Sequence, residues 1–314
     1  MIKKLLLIFM VLWALLLTGC YDTITGYELV GEYPCPSPLG YWGGSKLSYD
    51  QNGGLKLSVA LGKSEHPELS KTQPKAVKLS GKTEFVIEKF IYQEPWTDFT
   101  NLNPDKLTIS EVLKQAPFLL RIYSGQIHPC FCPIFDQSQL KSLAVFTKNS
   151  YLQILNPQSL SIEKEMKVET NIRDFVSKIA CSYDLQYLAI GSRGIEPFDH
   201  TIEIYKLNQE SNTYQFYNRF DKHSKHHRKM FFSDMTINND MLVINLQTGA
   251  RSTIKTSKIV FYNLKKDFIE SVYFSKNISF VNSAAVTPDL EYLIIVGEPL
   301  KLYRRLTKNS GDNK

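Results

Sequence analysis

Short apolar runs alternate with polar turns in the second half of the chain, and one order of segments recurs three times. The copies lie near residues 179–207, 235–264 and 284–305. In each copy a turn aspartate, Asp184, Asp240 or Asp289, precedes two apolar runs. Such runs, rich in β-branched and aromatic residues, are typical of strands. Repeats of roughly 50 residues with several short strands each indicate propeller blades.

The rest of the chain adds strands with a less regular rhythm. Asn52-Gly53 lies between alternating segments and predicts a hairpin in which both turn positions have positive φ. Residues 143–168 predict an abbreviated blade. The last repeat has no outer strand of its own, so we expect the hairpins between residues 39 and 92 to supply it. Closure of this kind removes exposed sheet edges.

These patterns predict an all-β chain folded as a β-propeller. Division of the available length by about 42 residues per blade gives six or seven blades, and we prefer seven. The alternatives are a four-blade C-terminal unit beside a separate β-rich N-terminal domain, and a two-sheet sandwich. The expected division is 1–19 signal peptide, 20–38 tether, 39–130 β-rich part with the early blades, 131–306 regular blades, and 307–314 polar tail.

Two of the turns resemble a known repeat. Residues 182–189 read Ser-Tyr-Asp-Leu-Gln-Tyr-Leu-Ala and residues 287–294 read Thr-Pro-Asp-Leu-Glu-Tyr-Leu-Ile. They resemble the Ser-Pro-Asp-Gly-Lys-Tyr-Leu-Ala turn of the WD40-like class, over roughly residues 131–306. The Gly-His and Trp-Asp dipeptides of that class are absent. The resemblance implies a binding platform more often than an enzyme.

The N-terminus has the pattern of a secretory signal. Lys3-Lys4 precede an apolar run from Leu5 to Leu17, which is too short for an ordinary membrane span. The run ends in Leu17-Thr-Gly-Cys20, which resembles the lipobox of bacterial lipoproteins. That resemblance implies cleavage before Cys20 and fatty acylation of Cys20 itself.

Lipidation at Cys20 implies a folded body tethered to a membrane of the cell envelope. In lipoproteins of Gram-negative bacteria an aspartate directly after the cysteine favours the inner membrane, and here that residue is Tyr21. We therefore expect the outer membrane, with the body facing the periplasm. An exported compartment permits disulfides. A bridge from Cys35 to Cys130 or Cys132 would pin the tether to the body, whereas we expect Cys181 to be a buried thiol.

A basic surface is the strongest candidate for partner binding. In a propeller, the loop at 221–229 leaves from the same face as the loops at 191–200 and 248–257, and cations outnumber carboxylates on these loops. The candidate residues are His223, Lys225, His226, His227, Arg228, Lys229, Arg251 and Lys255. A local positive field favours an anionic partner, which includes an acidic protein surface, lipid headgroups or a glycan. The alternative is that these charges only keep the loop soluble and bind no partner.

Candidate chemistry is sparse. Gly81-Lys-Thr83 imitates a phosphate-binding loop but lacks the earlier glycine. Glu196, Asp199 and His200 lie in one loop and permit an acid–base pair. We expect no catalytic residue, no cofactor and no metal, because the histidines near residue 225 lack neighbouring cysteine or carboxylate ligands. We expect no nucleic-acid partner, because the N-terminus predicts export of the protein.

The resulting hypothesis is an envelope lipoprotein whose propeller is a docking scaffold for other envelope proteins. The alternative is a periplasmic enzyme or small-ligand receptor that uses the central channel. A third possibility is a surface-exposed lipoprotein that contacts a host or a glycan.

Overall fold

The computed structural model describes a chain whose regular structure is β-strand throughout the described residues. Those residues are 26–33, 44–62, 75–78, 84–92, 120–123, 126–136, 138–147, 149–170, 176–193, 200–221, 230–238, 240–248, 256–276, 283–296 and 300–306. The short helix that Glu111–Ala116 could form lies outside them.

The described strands form three four-stranded sheets, one eight-stranded sheet made of two four-stranded halves, and one hairpin; we number the five four-stranded units as blades 1 to 5. The N-terminal strand is β1 (Tyr27–Tyr33), which joins blade 5. Blade 1 contains β2 (Gly44–Tyr49), β3 (Leu55–Gly62), β4 (Lys75–Lys78) and β5 (Glu84–Tyr92). The hairpin consists of β6 (Leu120–Tyr123) and β7 (Gln126–Pro129). Blade 2 contains β8 (Phe131–Asp136), β9 (Gln139–Phe146), β10 (Tyr151–Leu155) and β11 (Ile162–Val168).

The remaining blades follow the three repeats seen in the sequence. Blade 3 contains β12 (Val176–Cys181), β13 (Tyr187–Arg193), β14 (His200–Asn208) and β15 (Thr213–Asp221). Blade 4 contains β16 (Met230–Asn238), β17 (Met241–Thr248), β18 (Thr256–Asn263) and β19 (Phe268–Lys276). Blade 5 contains β20 (Ser283–Val286), β21 (Tyr292–Val296) and β22 (Leu300–Arg305), with β1 as its outer strand.

The five blades close into a ring. The first strand of each blade contacts the first strands of both neighbours, in the order β2, β8, β12, β16, β20 and back to β2. An apolar cluster fills each junction between neighbouring blades, and the largest of them joins blades 2 and 3. Blades 2 and 3 are also joined at their outer edge by a short parallel pairing of β11 with β15. The protein is thus an all-β propeller.

The ring corrects the expected blade number from six or seven to five over the described residues. The length-based count failed because blades 3 and 4 are longer than the assumed repeat, and because residues 93–130 contribute only the hairpin β6–β7 to the described part. The alternative of a separate N-terminal domain is also wrong. Blade 1 packs against blade 5 through Leu47 and Ala285 and against blade 2 through Ala60 and Leu143.

The outer strand of blade 5 comes from β1 and not from the hairpins between residues 39 and 92. β1 pairs antiparallel with β22, from Tyr27 opposite Arg305 to Tyr33 opposite Leu300. Tyr33 packs on Phe85 of blade 1 with a centroid separation of 4.8 Å. A Cβ on Gly31 would overlap the Tyr33 hydroxyl, so this position requires glycine or a displaced tyrosine.

The turns of blades 3 and 5 have the same hydrogen bonds, as their sequence likeness predicts. The Ser182 hydroxyl donates to Asp184 Oδ1 at 2.7 Å, and the Thr287 hydroxyl donates to Asp289 Oδ1 at 2.6 Å. The next residues, Leu185 and Leu290, both have a φ of 61°, in the left-handed region. WD40-like turns commonly place glycine there. A left-handed conformation costs a leucine about 1–2 kcal/mol, and the packing of both leucines against the blade cores offsets that cost.

The hairpin at Asn52-Gly53 forms, but not as a two-residue turn. Gly53 has a φ of 77°, whereas Asn52 is not among the residues with positive φ. The Asp50 carboxylate accepts hydrogen bonds from the backbone N–H groups of Asn52 and Gly54, both at 2.8 Å. This side chain supports a longer loop, so only one position needs the left-handed conformation.

In blades 3 and 5 a tyrosine of the outer strand donates a hydrogen bond to the matching turn. Substitution of these tyrosines therefore tests whether β1 is the outer strand of blade 5. The Tyr214 hydroxyl donates to the Leu185 carbonyl at 2.6 Å, and the Tyr27 hydroxyl donates to the Leu290 carbonyl at 2.7 Å. Tyr214→Phe and Tyr27→Phe should each lower the free energy of unfolding by about 1–3 kcal/mol, because a buried carbonyl loses its donor. Urea unfolding measures both. If only Tyr214→Phe is destabilising, β1 does not close blade 5 in solution.

Candidate functional site

The ring has two faces, which the strand connections define. The turn face carries the turns between first and second strands, including those at 50–54, 182–187 and 287–292. The loop face carries the connections between second and third strands and between successive blades. Arg193 pairs with His200 and Met230 pairs with Thr248, so the strand ends at this edge face the same way.

The predicted basic residues follow those strand ends in sequence but lie outside the described residues. This applies to the whole set: His223, Lys225, His226, His227, Arg228, Lys229, Arg251 and Lys255. The described strands that flank them, β15 with β16 and β17 with β18, end or begin at the loop face. The expectation that the loops leave from one face thus agrees with the strand directions, and partner binding stays a prediction.

A concave site lies in the channel at the centre of the ring. First strands of blades 1 to 4 line a cavity of about 40 Å³ that extends to Tyr183 on the turn face. A cavity of that size has room for a few waters, since one water needs about 10–15 Å³ by the same measure. Ligand pockets for drug-sized molecules are of the order of 300–1,000 Å³. The described channel therefore holds a water-sized cavity with both polar and apolar residues in its lining.

An ion pair crosses this channel between two blades. Lys178 Nζ of β12 lies 2.8 Å from Asp234 Oδ1 of β16, and the two side chains are 15% and 3% exposed. Inner strands of adjacent blades converge at the channel, which brings these residues together despite their separation in sequence. Their pairing neutralises two charges that would otherwise be buried at high cost.

Two further polar groups line the same cavity. Lys46 of β2 donates to the Phe135 carbonyl at 3.3 Å, and burial lowers the pKa of its ammonium group. Asn238 is 6% exposed, and its Nδ2 has no hydrogen-bond partner among the described residues. A buried amide without a protein partner in a polar cavity is a position where water binds.

The cysteines of the body lie at the junction of blades 2 and 3. The Cys130 thiol donates to the Val176 carbonyl at 3.0 Å, and Cys132 and Cys181 line the channel cavity. Burial raises the pKa of the Cys132 thiol to about 11 and also raises that of Cys181. Cys35 lies outside the described residues, so the bridge from Cys35 to Cys130 or Cys132 stays a prediction. Cys181 is a buried thiol, as expected.

The raised pKa makes Cys132 a slow nucleophile. Only the thiolate is alkylated, and at pH 8 a thiol with a pKa near 11 is ionised about 200-fold less than an ordinary cysteine with a pKa near 8.5. We expect iodoacetamide to modify Cys132 about 200-fold more slowly than an exposed cysteine placed at Asn149. Peptide mass spectrometry over a time course measures both rates. Equal rates would contradict the buried environment of Cys132.

A second cluster of titratable groups lies inside blade 3. Glu203 Oε1 accepts from Arg219 Nη2 at 2.5 Å, and Oε2 accepts from the Tyr205 hydroxyl, which also contacts Thr170 Oγ1 at 2.7 Å. Both carboxylate oxygens are therefore occupied by protein donors. The cluster ties β14 to β15 and to residue 170, which is a structural role.

The remaining candidates are not assembled by the described residues. Glu196, Asp199 and residues 81–83 lie outside them, and the side chain of His200 is not described. Within the described ranges there is no group of three or more histidine, cysteine, aspartate or glutamate side chains placed to hold a metal ion. The same part of the chain contains no helix long and apolar enough to cross a bilayer. The apolar run Leu5–Leu17 and Cys20 lie outside it.

Comparisons with known proteins give little beyond the fold. No protein-family model and no curated protein matches this chain. Structural matches include Sqt1 of Saccharomyces cerevisiae, with 15% identity, a TM-score of 0.36 and coverage of 64% of this chain and 48% of that one. They also include the WD40 repeats of RRP9, with 13% identity, a TM-score of 0.34 and coverage of 58% and 46%. U3-55K has 13% identity, a TM-score of 0.34 and coverage of 60% and 53%.

This chain thus spans about half the length of those structures. At these TM-scores the likeness carries no argument about activity or partners. The assignment rests on the sheets themselves: the protein is an all-β propeller whose fifth blade is completed by β1.

Proposed function

We propose that this protein is a lipid-anchored docking scaffold of the bacterial cell envelope. The observation that carries the proposal is the ring of five blades whose interfaces are apolar and whose described channel residues enclose a water-sized cavity. Such a body offers its two faces and its rim for binding, and WD40-like propellers commonly serve as platforms for other proteins.

The anchor in this proposal is Cys20. The basic n-region, the short apolar run and the Leu-Thr-Gly-Cys sequence support lipidation there. Tyr21 after the cysteine supports the outer membrane, with the propeller in the periplasm. Several acyl chains on one residue make such anchoring stable.

The partner in this proposal is an acidic surface of another envelope protein, and it binds the loop face. The support is the excess of cations in the sequence between the strand ends of blades 3 and 4. Complementary charge speeds association and selects among partners. An anionic glycan or lipid headgroup is negatively charged like an acidic protein surface, and the experiment below distinguishes these partners.

The test reverses charge at Lys225, Arg228 and Lys229 by substitution with glutamate. Cross-linking in native membranes followed by mass spectrometry should show at least about tenfold less partner for this variant, because rim charges govern encounter. An unchanged partner profile would overturn the basic-face proposal. Loss of a glycan or lipid instead of a protein would reassign the partner.

The matched control reverses three exposed cations elsewhere on the body. Lys141, Lys164 and Lys167 all lie on blade 2, on β9 and β11, and are exposed. Their replacement by glutamate gives the same change in net charge. We expect an unchanged partner profile for this control, so a shared loss would indicate an effect of net charge alone.

A further inference from the structure

The chain enters the propeller at the turn face of blade 5. β1 runs antiparallel to β22, so its first residue, Tyr27, lies beside Arg305 at the end of β22. One residue earlier, the Gly26 carbonyl accepts a hydrogen bond from the backbone N–H of Leu306 at 2.9 Å. The same edge carries the turn at Leu290, whose carbonyl binds the Tyr27 hydroxyl. Gly26 is thus fixed at one face of the ring.

The distance from Gly26 to Cys20 is bounded by covalent geometry. Residues 21–25 separate the two, and an extended chain spans at most about 3.5 Å per residue, which gives a reach of roughly 20 Å. A blade strand of ordinary length covers about 20–30 Å from one face to the other. The loop face therefore lies farther from Gly26 than the turn face by about that amount.

We propose that the turn face of blades 4 and 5 lies against the phospholipid headgroups, so that the loop face points away from the membrane. This inference rests on the proposed lipidation of Cys20. It assigns a lipid surface to one face of the ring and leaves the other for the protein partner.

The exposed residues near Gly26 fit a headgroup layer. Arg304 and Arg305 end β22 and Leu306 follows them, and Lys265 and Lys266 occupy a turn of the neighbouring blade 4. Leu306 is 52% exposed. Basic side chains with an apolar neighbour are typical of surfaces that lie at a bilayer interface.

Charge alone does not hold this face at the membrane. Arg304 pairs with Glu291 at 3.3 Å, and Lys265 pairs with Asp240 at 2.7 Å. Carboxylates thus partner two of the cations. The short tether sets the orientation, so we expect it to persist when anionic lipids are diluted or salt is raised, whereas attraction to anionic lipids is screened by salt.

The test places a photoreactive benzophenone amino acid at single positions of the full-length lipidated protein. Leu306 and Lys266 report on the turn face, and the exposed Asn149, between the second and third strands of blade 2, reports on the loop face. After illumination of membranes that contain a clickable phospholipid, we expect at least about tenfold more lipid cross-link at the turn-face positions. Equal labelling, or more at Asn149, would overturn the orientation.

A linker variant separates this inference from the proposed anchoring. About 20 glycine and serine residues inserted before Gly26 add a mean span of roughly 25 Å. The difference between the faces should then fall to less than about twofold, while a fatty-acid probe labels Cys20 as before. A preserved difference would overturn the tether as its cause. Failure of the probe to label Cys20 in the unmodified protein would instead refute the anchoring, and the orientation with it.

Discussion

Asp234→Ala is expected to lower the free energy of unfolding by about 3–5 kcal/mol, because it leaves the Lys178 ammonium unpaired inside the channel. Lys178 Nζ lies 2.8 Å from the aspartate, and its side chain is 15% exposed. A buried charge without a partner must either be solvated by rearrangement or lose its proton, and both cost free energy. Urea unfolding of the purified protein in detergent measures the loss as a shift of the midpoint at constant slope.

The control for this prediction removes both charges together. Lys178→Met combined with Asp234→Leu replaces the pair by apolar side chains of similar size, which is often neutral or stabilising for buried pairs. We expect the double variant to recover most of the stability lost in Asp234→Ala. A loss below about 1 kcal/mol in Asp234→Ala would mean that water already solvates the pair, as at an exposed site.

Cys20→Ala is expected to abolish membrane attachment. The acyl chains contribute roughly 0.8 kcal/mol for each buried methylene, so a single sixteen-carbon chain contributes on the order of 10 kcal/mol. Without them the body has no other anchor in this account. Fractionation should move the protein from the membrane pellet to the soluble fraction by at least about 100-fold, and labelling with a fatty-acid probe should disappear.

Cys35→Ala is the matched control for the anchor. This cysteine also lies in the N-terminal segment, but no lipobox precedes it. Probe labelling and membrane fractionation should remain as in the unmodified protein. If Cys20→Ala still carries the probe and still sediments with membranes, the lipid anchor is elsewhere and the account of the N-terminus fails.

The sequence predicted the blades in which each strand pairs with the next strand along the chain. In blades 3 and 4 each strand pairs with its neighbour in the chain, so apolar runs separated by polar turns identify the whole sheet. Blade 1 breaks this rule, because β5 lies between β3 and β4 and pairs with β3 in parallel. The order of apolar runs along the chain does not reveal such a crossover, and this contributed to the difference between the predicted and the observed number of blades.

One repeated turn was missed although its residues are visible in the sequence. Asn156, Asn208 and Asn263 each begin the turn between the third and fourth strands of a blade. In each case the side-chain oxygen accepts backbone N–H groups two and three residues later. Asparagine recurs there because its side chain substitutes for a backbone acceptor in a tight turn. This spacing identifies blades 2 to 4 without the turn aspartates.

The turn aspartates themselves were aligned incorrectly in blade 4. The backbone N–H groups at the ends of the third strands donate to Gln186, Asp240 and Glu291, so these three positions are equivalent. Asp240 therefore does not correspond to Asp184 and Asp289. Blade 4 has the shorter turn, and its aspartate instead pairs with Lys265 at 2.7 Å.

The channel could not be predicted from the sequence for a physical reason. Lys178 and Asp234 belong to first strands of different blades, and neither strand shows a period that marks the channel side. Only closure of the ring brings the two together. The residues predicted for partner binding belong to loops, whose charge is legible in the sequence but whose arrangement local patterns do not determine.

The most direct test of the scaffold is mild cross-linking of the tagged, lipidated protein in its own membranes, followed by purification and mass spectrometry. We expect one envelope protein in near-stoichiometric amount, with cross-links that map to the loop face of blades 3 and 4. A protein recovered without any partner, or a partner linked only to the turn face, would contradict it.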